Sequence, residues 1–140
     1  MRAAAALLSI QDITPPPAGS TASLSPAVWQ TFAEAEELRL QPNDSGLDAA
    51  IAAWQRALDA QPSFAAGFAS LAMAYVRKYQ TTREDAAIRL ARTNADRALQ
   101  LDPRLPRSIL SRALVDLYSG HLAEAMDGLS RCRRLDPGDT

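Results

Sequence analysis

Apolar and polar positions along this chain follow a helical rhythm, and the rhythm repeats. Small residues recur at i and i+7 with another side chain at i+4, and a proline follows five residues after the second small one. The copies are Ala50, Trp54, Ala57 and Pro62; Ala91, Ala95, Ala98 and Pro103; and Ala125, Leu129, Cys132 and Pro137. Residues at that spacing share one stripe of a helix, where small ones admit a neighbouring backbone and a larger one fills the gap. Proline stops a helix and disfavours helical geometry in the residue before it, so Gln61, Asp102 and Asp136 are expected at or beyond helix ends. Upstream of two stripes lies a second helical pattern. Phe68, Leu71, Ala72 and Tyr75 fall at i, i+3, i+4 and i+7, and Ile109, Ala113 and Asp116 take the matching places before Gly120. Each copy is therefore two helices, and the pattern predicts helices near 26–40, 46–60, 64–79, 83–101, 106–119 and 122–135.

The copies keep a period. Pro103 and Pro137 are 34 residues apart and Pro62 and Pro103 are 41, which is one period with a seven-residue insertion in the middle copy. A period in the thirties signals a solenoid of helix pairs. On these residues the chain resembles the tetratricopeptide repeat family. The family's aromatic, leucine, small residue and tyrosine on a first helix match Phe68, Leu71, Ala72 and Tyr75, and its small, bulky, small, proline pattern matches the three stripes. The resemblance implies an all-α right-handed solenoid of about three repeats, near 26–62, 63–103 and 104–137, in a domain covering 25–140. Departures are visible: Arg112 replaces a leucine, Asp116 an aromatic, Ala95 a bulky residue, and Glu36 a tyrosine in a first copy that otherwise fits through Trp29, Phe32 and Ala33.

Local chemistry marks the helix ends. Ser25-Pro26 reads as an N-cap followed by a first-turn proline, Thr81-x-x-Glu84 as a capping box, and Ser45-x-x-Asp48 as a weaker one. An insertion falls around residues 41–45, and the seven extra residues of the middle copy fall among 78–89, where they lengthen both helices or enlarge their turn. Residues 1–24 stand apart. Ala3 to Leu8 are apolar but far shorter than the roughly 20 residues a bilayer span needs. Three readings stay open for them: a poor signal peptide, the stump of a membrane helix, or a segment docking on the repeats. The proline-rich stretch 15–23 reads as a linker.

Composition narrows the functional field. The formal net charge of -1 gives no general attraction to nucleic acid. The halves differ: residues 1–60 hold three arginines against seven acids, net -4, and residues 61–140 hold twelve basic against nine acidic side chains, net +3. Cys132 is the one cysteine and sits at a packing position, which points to a compact core filler. The one histidine, His121, follows Gly120 at a turn, so no metal cluster or catalytic pair can be assembled, and no glycine-rich phosphate loop occurs. The chain reads as a non-enzyme without cofactor or metal. Lys78 is the single lysine among 15 basic residues, a usage associated with GC-rich bacterial genomes.

In stacks of this kind the first helices line a concave face. The spacing assigns Ala66, Ala69, Met73, Val76 and Arg77 to it in the middle copy, Arg107, Leu110, Leu114, Leu117 and Tyr118 in the last, and Gln30, Glu34 and Glu37 in the first. Trp54, Ala57, Phe68, Leu71, Ala72, Tyr75, Ala91, Ala98, Ala125, Leu129 and Cys132 are assigned to repeat packing. Such a groove, acidic at one end and apolar with arginine at the other, suits a protein or peptide ligand. Family members that grip a partner's C-terminal carboxylates use Lys and Asn where Ala69 and Met73 stand here, so the resemblance argues against such a clamp. The alternative is a nucleic-acid-binding repeat using Arg104, Arg107, Arg112, Arg131, Arg133 and Arg134, opposed by the lack of stacking aromatics beyond Tyr118. The chain is expected as a monomer or weak homo-oligomer. A finer resemblance, carried by residues 71–82 and 101–106, is to repeat segments of bacterial membrane-linked serine/threonine kinases and winged-helix regulators. It implies a docking or sensory role, either in the cytoplasm or beyond the membrane, to which only a missing N-terminal segment would tie it.

Overall fold

The computed structural model describes residues 24–135 as six helices: α1 (Pro26–Arg39), α2 (Asp44–Ala60), α3 (Ala65–Thr82), α4 (Asp85–Leu101), α5 (Pro106–Tyr118) and α6 (Leu122–Leu135). The readings of residues 1–23, and the last proline of the period, Pro137, lie outside the described residues. Short turns join α1 to α2, α3 to α4 and α5 to α6, and each of these pairs packs along its length. The hairpins stack because α2 packs on α3, α4 on α5, and α3 on α5. That places α3 at the centre, with nine of its residues buried from Ala65 to Val76.

Small residues mark the seams. Ala50, Ala53, Ala57, Ala91, Ala95, Ala98 and Ala125 are all at most 1 % exposed, so the stripes read from spacing are where helices touch. Larger side chains fill what the alanines leave. Trp54 is fully buried in one cluster with Phe32, Phe64, Leu71 and Tyr75, and the Phe32 and Phe64 rings meet edge to face with centroids 4.8 Å apart. One packing assignment needs correction at the last hairpin. Leu129 is 44 % exposed, because the described residues contain no further helix to cover α6, whereas the partly buried Cys132 still meets α5 at the Pro106 carbonyl oxygen.

Capping follows local rules with two corrections. Ser25 caps α1 by accepting the Val28 N–H at 3.2 Å, with Pro26 in the first turn. For α2 the cap is Asn43, which accepts the Gly46 N–H at 2.7 Å, rather than Ser45. A Cβ at Gly46 would stand 2.9 Å from the Leu38 carbonyl oxygen, so the tight entry to α2 needs the glycine. The Thr81-to-Glu84 capping box does not form. Thr81 lies inside α3 and donates to Lys78 O, while Thr82 Oγ1 accepts the Glu84 N–H at 3.2 Å. The extra residues lengthen both helices of the middle hairpin, 18 and 17 residues against 13 and 14 in the last. Their turn shrinks to residues 83–84, and Arg83 enters it in the left-handed region at φ 58.

Candidate binding groove

The first helices α1, α3 and α5 carry the expected inward residues, but one polar contact decides which of them remain open. Glu36 lies on the apolar stripe of α1 with Phe32 and Ala33 and is buried. A buried carboxylate needs cationic or hydrogen-bonding partners, and it has three. Its Oε2 pairs with Arg39 Nε at 3.1 Å, while Oε1 accepts from Ser70 Oγ at 3.0 Å and from Arg107 Nη1 at 3.1 Å. Arg107 Nη1 also donates to Ser70 Oγ at 2.9 Å, and its guanidinium lies 5.9 Å from the Phe32 ring centroid. The contact thus joins α1, α3 and α5. Arg107, assigned to the groove, is here a tie between the first and last hairpins.

Beneath that tie, Ala69 and Val76 are 0 % and 3 % exposed, so neither lines an open surface. Met73, Leu110, Leu114 and Tyr118 are partly exposed, with Leu114 and Tyr118 also packed against the core. Tyr118 OH accepts from Gln80 Nε2 in the extended part of α3. Arg77 is exposed and donates from Nη1 to the Arg39 carbonyl oxygen at 3.0 Å. Glu34 and Glu37 are exposed on α1 with no ion pair among the described residues. The open part is thus a short apolar row between uncompensated acids and one exposed arginine.

The departures in the third copy are explained by a second polar cluster. Arg112 Nε bonds Asp116 Oδ1 at 3.1 Å, and its Nη1 reaches Asp96 on α4. An ion pair therefore stands where a leucine and an aromatic were expected. Burial disfavours the Arg112 charge, but hydrogen bonds to Asp116 and Asp96 and the fields of both carboxylates outweigh it, and the pKa lies above its ordinary value. Beside the pair runs a cleft of about 410 Å³, lined on α5 by Arg112 and Asp116 and on α6 by Glu124, Asp127 and Arg131. In the turn between α5 and α6, His121 donates its backbone N–H to the Asp116 carbonyl oxygen at 2.8 Å.

No protein-family profile and no curated protein matches the sequence. Among solved structures, the TPR2B domain of yeast Sti1 in its pHsp70 complex superposes with a TM-score of 0.66 at 19% identity, over 82% of this chain and 84% of that one. The chain has the tetratricopeptide-repeat fold. Within that fold α1, α3 and α5 are the first helices of their repeats and α2, α4 and α6 the second. The tetratricopeptide pattern located the helices through their small residues, yet it gave no sign of the Glu36, Ser70 and Arg107 contact. The available signal was Glu36 itself, a carboxylate on a buried stripe, which requires a cation from elsewhere in the chain.

Proposed function

We propose that this chain is a non-catalytic protein-interaction scaffold that holds a peptide or partner domain on the concave face of its first helices. The supporting observation is the row of partly exposed apolar side chains Met73, Leu110, Leu114 and Tyr118, flanked by Glu34, Glu37 and Arg77. Partly exposed apolar side chains between a few fixed charges give a peptide both contact area and orientation. The Sti1 domain of the same fold, in its pHsp70 complex, supports the class of activity and not the identity of the partner. The arginine-rich usage and the resemblance carried by residues 71–82 support the finer reading, the docking or sensory part of a bacterial signalling protein. The nucleic-acid alternative is weaker than the sequence allowed, because Arg107 and Arg112 are held in internal ion pairs.

A peptide library displayed on phage and selected on the folded chain tests the groove. Peptides recovered on the unaltered chain should lose about tenfold or more in affinity on Met73→Glu and Leu114→Glu, with circular dichroism unchanged. Equal binding to both variants would remove the groove from the proposal.

A further inference from the structure

We infer that the exposed face of α6 beside the concave groove is a docking surface for an amphipathic partner helix with an acidic first turn. It shares Leu110 and Leu114 with the groove and adds Leu122, Met126 and Leu129, which the groove reading does not use. α5 and α6 meet along a seam of close contacts. A Cβ on Gly128 would lie 3.1 Å from Ala113 Cβ, and Cys132 Sγ donates to the Pro106 carbonyl oxygen at 3.5 Å. The polar cleft lined by Asp116 and Glu124 occupies one side of this seam. Helical spacing puts two apolar rows on the other side: Leu110, Leu114 and Leu117 on α5, and Leu122, Met126 and Leu129 on α6, each at i, i+4 and i+7. Of these, Leu117, Leu122, Met126 and Leu129 are 42%, 59%, 68% and 44% exposed. In the two preceding hairpins the second helix is covered by the first helix of the next, α2 by α3 and α4 by α5. Among the described residues nothing covers α6 in this way.

Charge selects the occupant. Arg133 continues the Leu129 row one turn on and pairs with no carboxylate among the described residues, whereas Arg134 falls on the cleft-side stripe of Asp127 and Arg131. An unpaired guanidinium at the end of an apolar trough favours a ligand with carboxylates at that end. Acidic side chains are favoured in the first turn of a helix, where they complement its positive end. A helix meeting both conditions runs antiparallel to α6, its first turn beside Arg133 and its apolar stripe in the trough. A second copy of α6 does not meet them, because Glu124 and Asp127 lie on the cleft side of the seam and offer Arg133 no carboxylate.

The probes are two synthetic alanine-based helices of about 16 residues with leucines at i, i+4, i+7 and i+11, one opening with three glutamates and the other with three lysines. They are titrated against the full chain by fluorescence anisotropy, with hydrogen exchange mapping the protected residues. The glutamate peptide should bind, protect α6, weaken with salt, and lose about tenfold on Met126→Glu, an exposed position where folding is not at risk. Arg133→Glu should reverse the preference in favour of the lysine peptide, and Met73→Glu should change nothing, which separates this surface from the groove. Equal binding of the two peptides, no binding of either, or protection confined to α3 would overturn the proposal. So would a dimer in sedimentation that Met126→Glu dissociates, since a second copy would then be the occupant.

Discussion

Trp54 is the side chain on which the first hairpin depends. It is fully buried among residues of α1, α2 and α3, so Trp54→Ala is expected to lower stability by about 3 to 5 kcal/mol, against about 0.5 or less for the exposed Arg131→Ala, in urea melts followed by circular dichroism. Its Nε1–H has no partner, which opposes part of the packing gain, so Trp54→Phe should lose less than half of what alanine loses. Glu36 depends on the opposite physics. Glu36→Gln keeps a group able to accept from Ser70 but removes the charge facing Arg39 and Arg107, and should cost about 1 to 3 kcal/mol. A double-mutant cycle with Arg107→Met isolates the tie, and a coupling energy near zero would show that it carries no stability.

At the level of helices and turns, helix positions were legible because their signals are local. Ser25, Pro26, Pro62 and Pro103 act through neighbouring backbone, and every helix starts within two residues of its expected position; α1, α5 and α6 begin at the predicted residues. The turn at residues 83–84 was not legible, because α3 extends through Thr82 with Gln80 bonding Tyr118 on α5, a contact between distant parts of the chain. Two substitutions test the turns by backbone preference. Gly120 sits at φ 86, and a methyl group placed there would meet nothing within 4 Å, so Gly120→Ala should cost about 1 kcal/mol through conformation alone. Arg83 holds the left-handed conformation without being glycine, and Arg83→Gly should leave stability unchanged or raise it by up to about 1 kcal/mol, read as a shift in the melting midpoint. At the seam, Ala72 is fully buried, so Ala72→Leu should overpack the helix pair at about 1 to 3 kcal/mol.

Over the whole molecule, stability should fall from the centre outward, as in a stack whose units touch mainly their neighbours, the Glu36–Arg107 tie being the exception. α3 is covered by α2, α4 and α5, whereas α6 packs mainly on α5 and has only Ala125 and Gly128 buried. Native-state hydrogen exchange is expected to show the highest protection in α3 and the lowest in α6, and uniform protection would contradict this picture. The sequence by itself determined the order of the six helices among the described residues and most of the residues at their seams, Leu129 excepted, because a period of small side chains and prolines acts over a few turns. Only the tertiary structure decided which inward positions stay open, Met73 and Leu114 rather than Ala69 and Val76. Accessibility there depends on how α1 and α5 sit over α3, an arrangement in which Glu36 meets Ser70 and Arg107, 34 and 71 residues away along the chain. Spacing along one helix carries no information about a contact made across three.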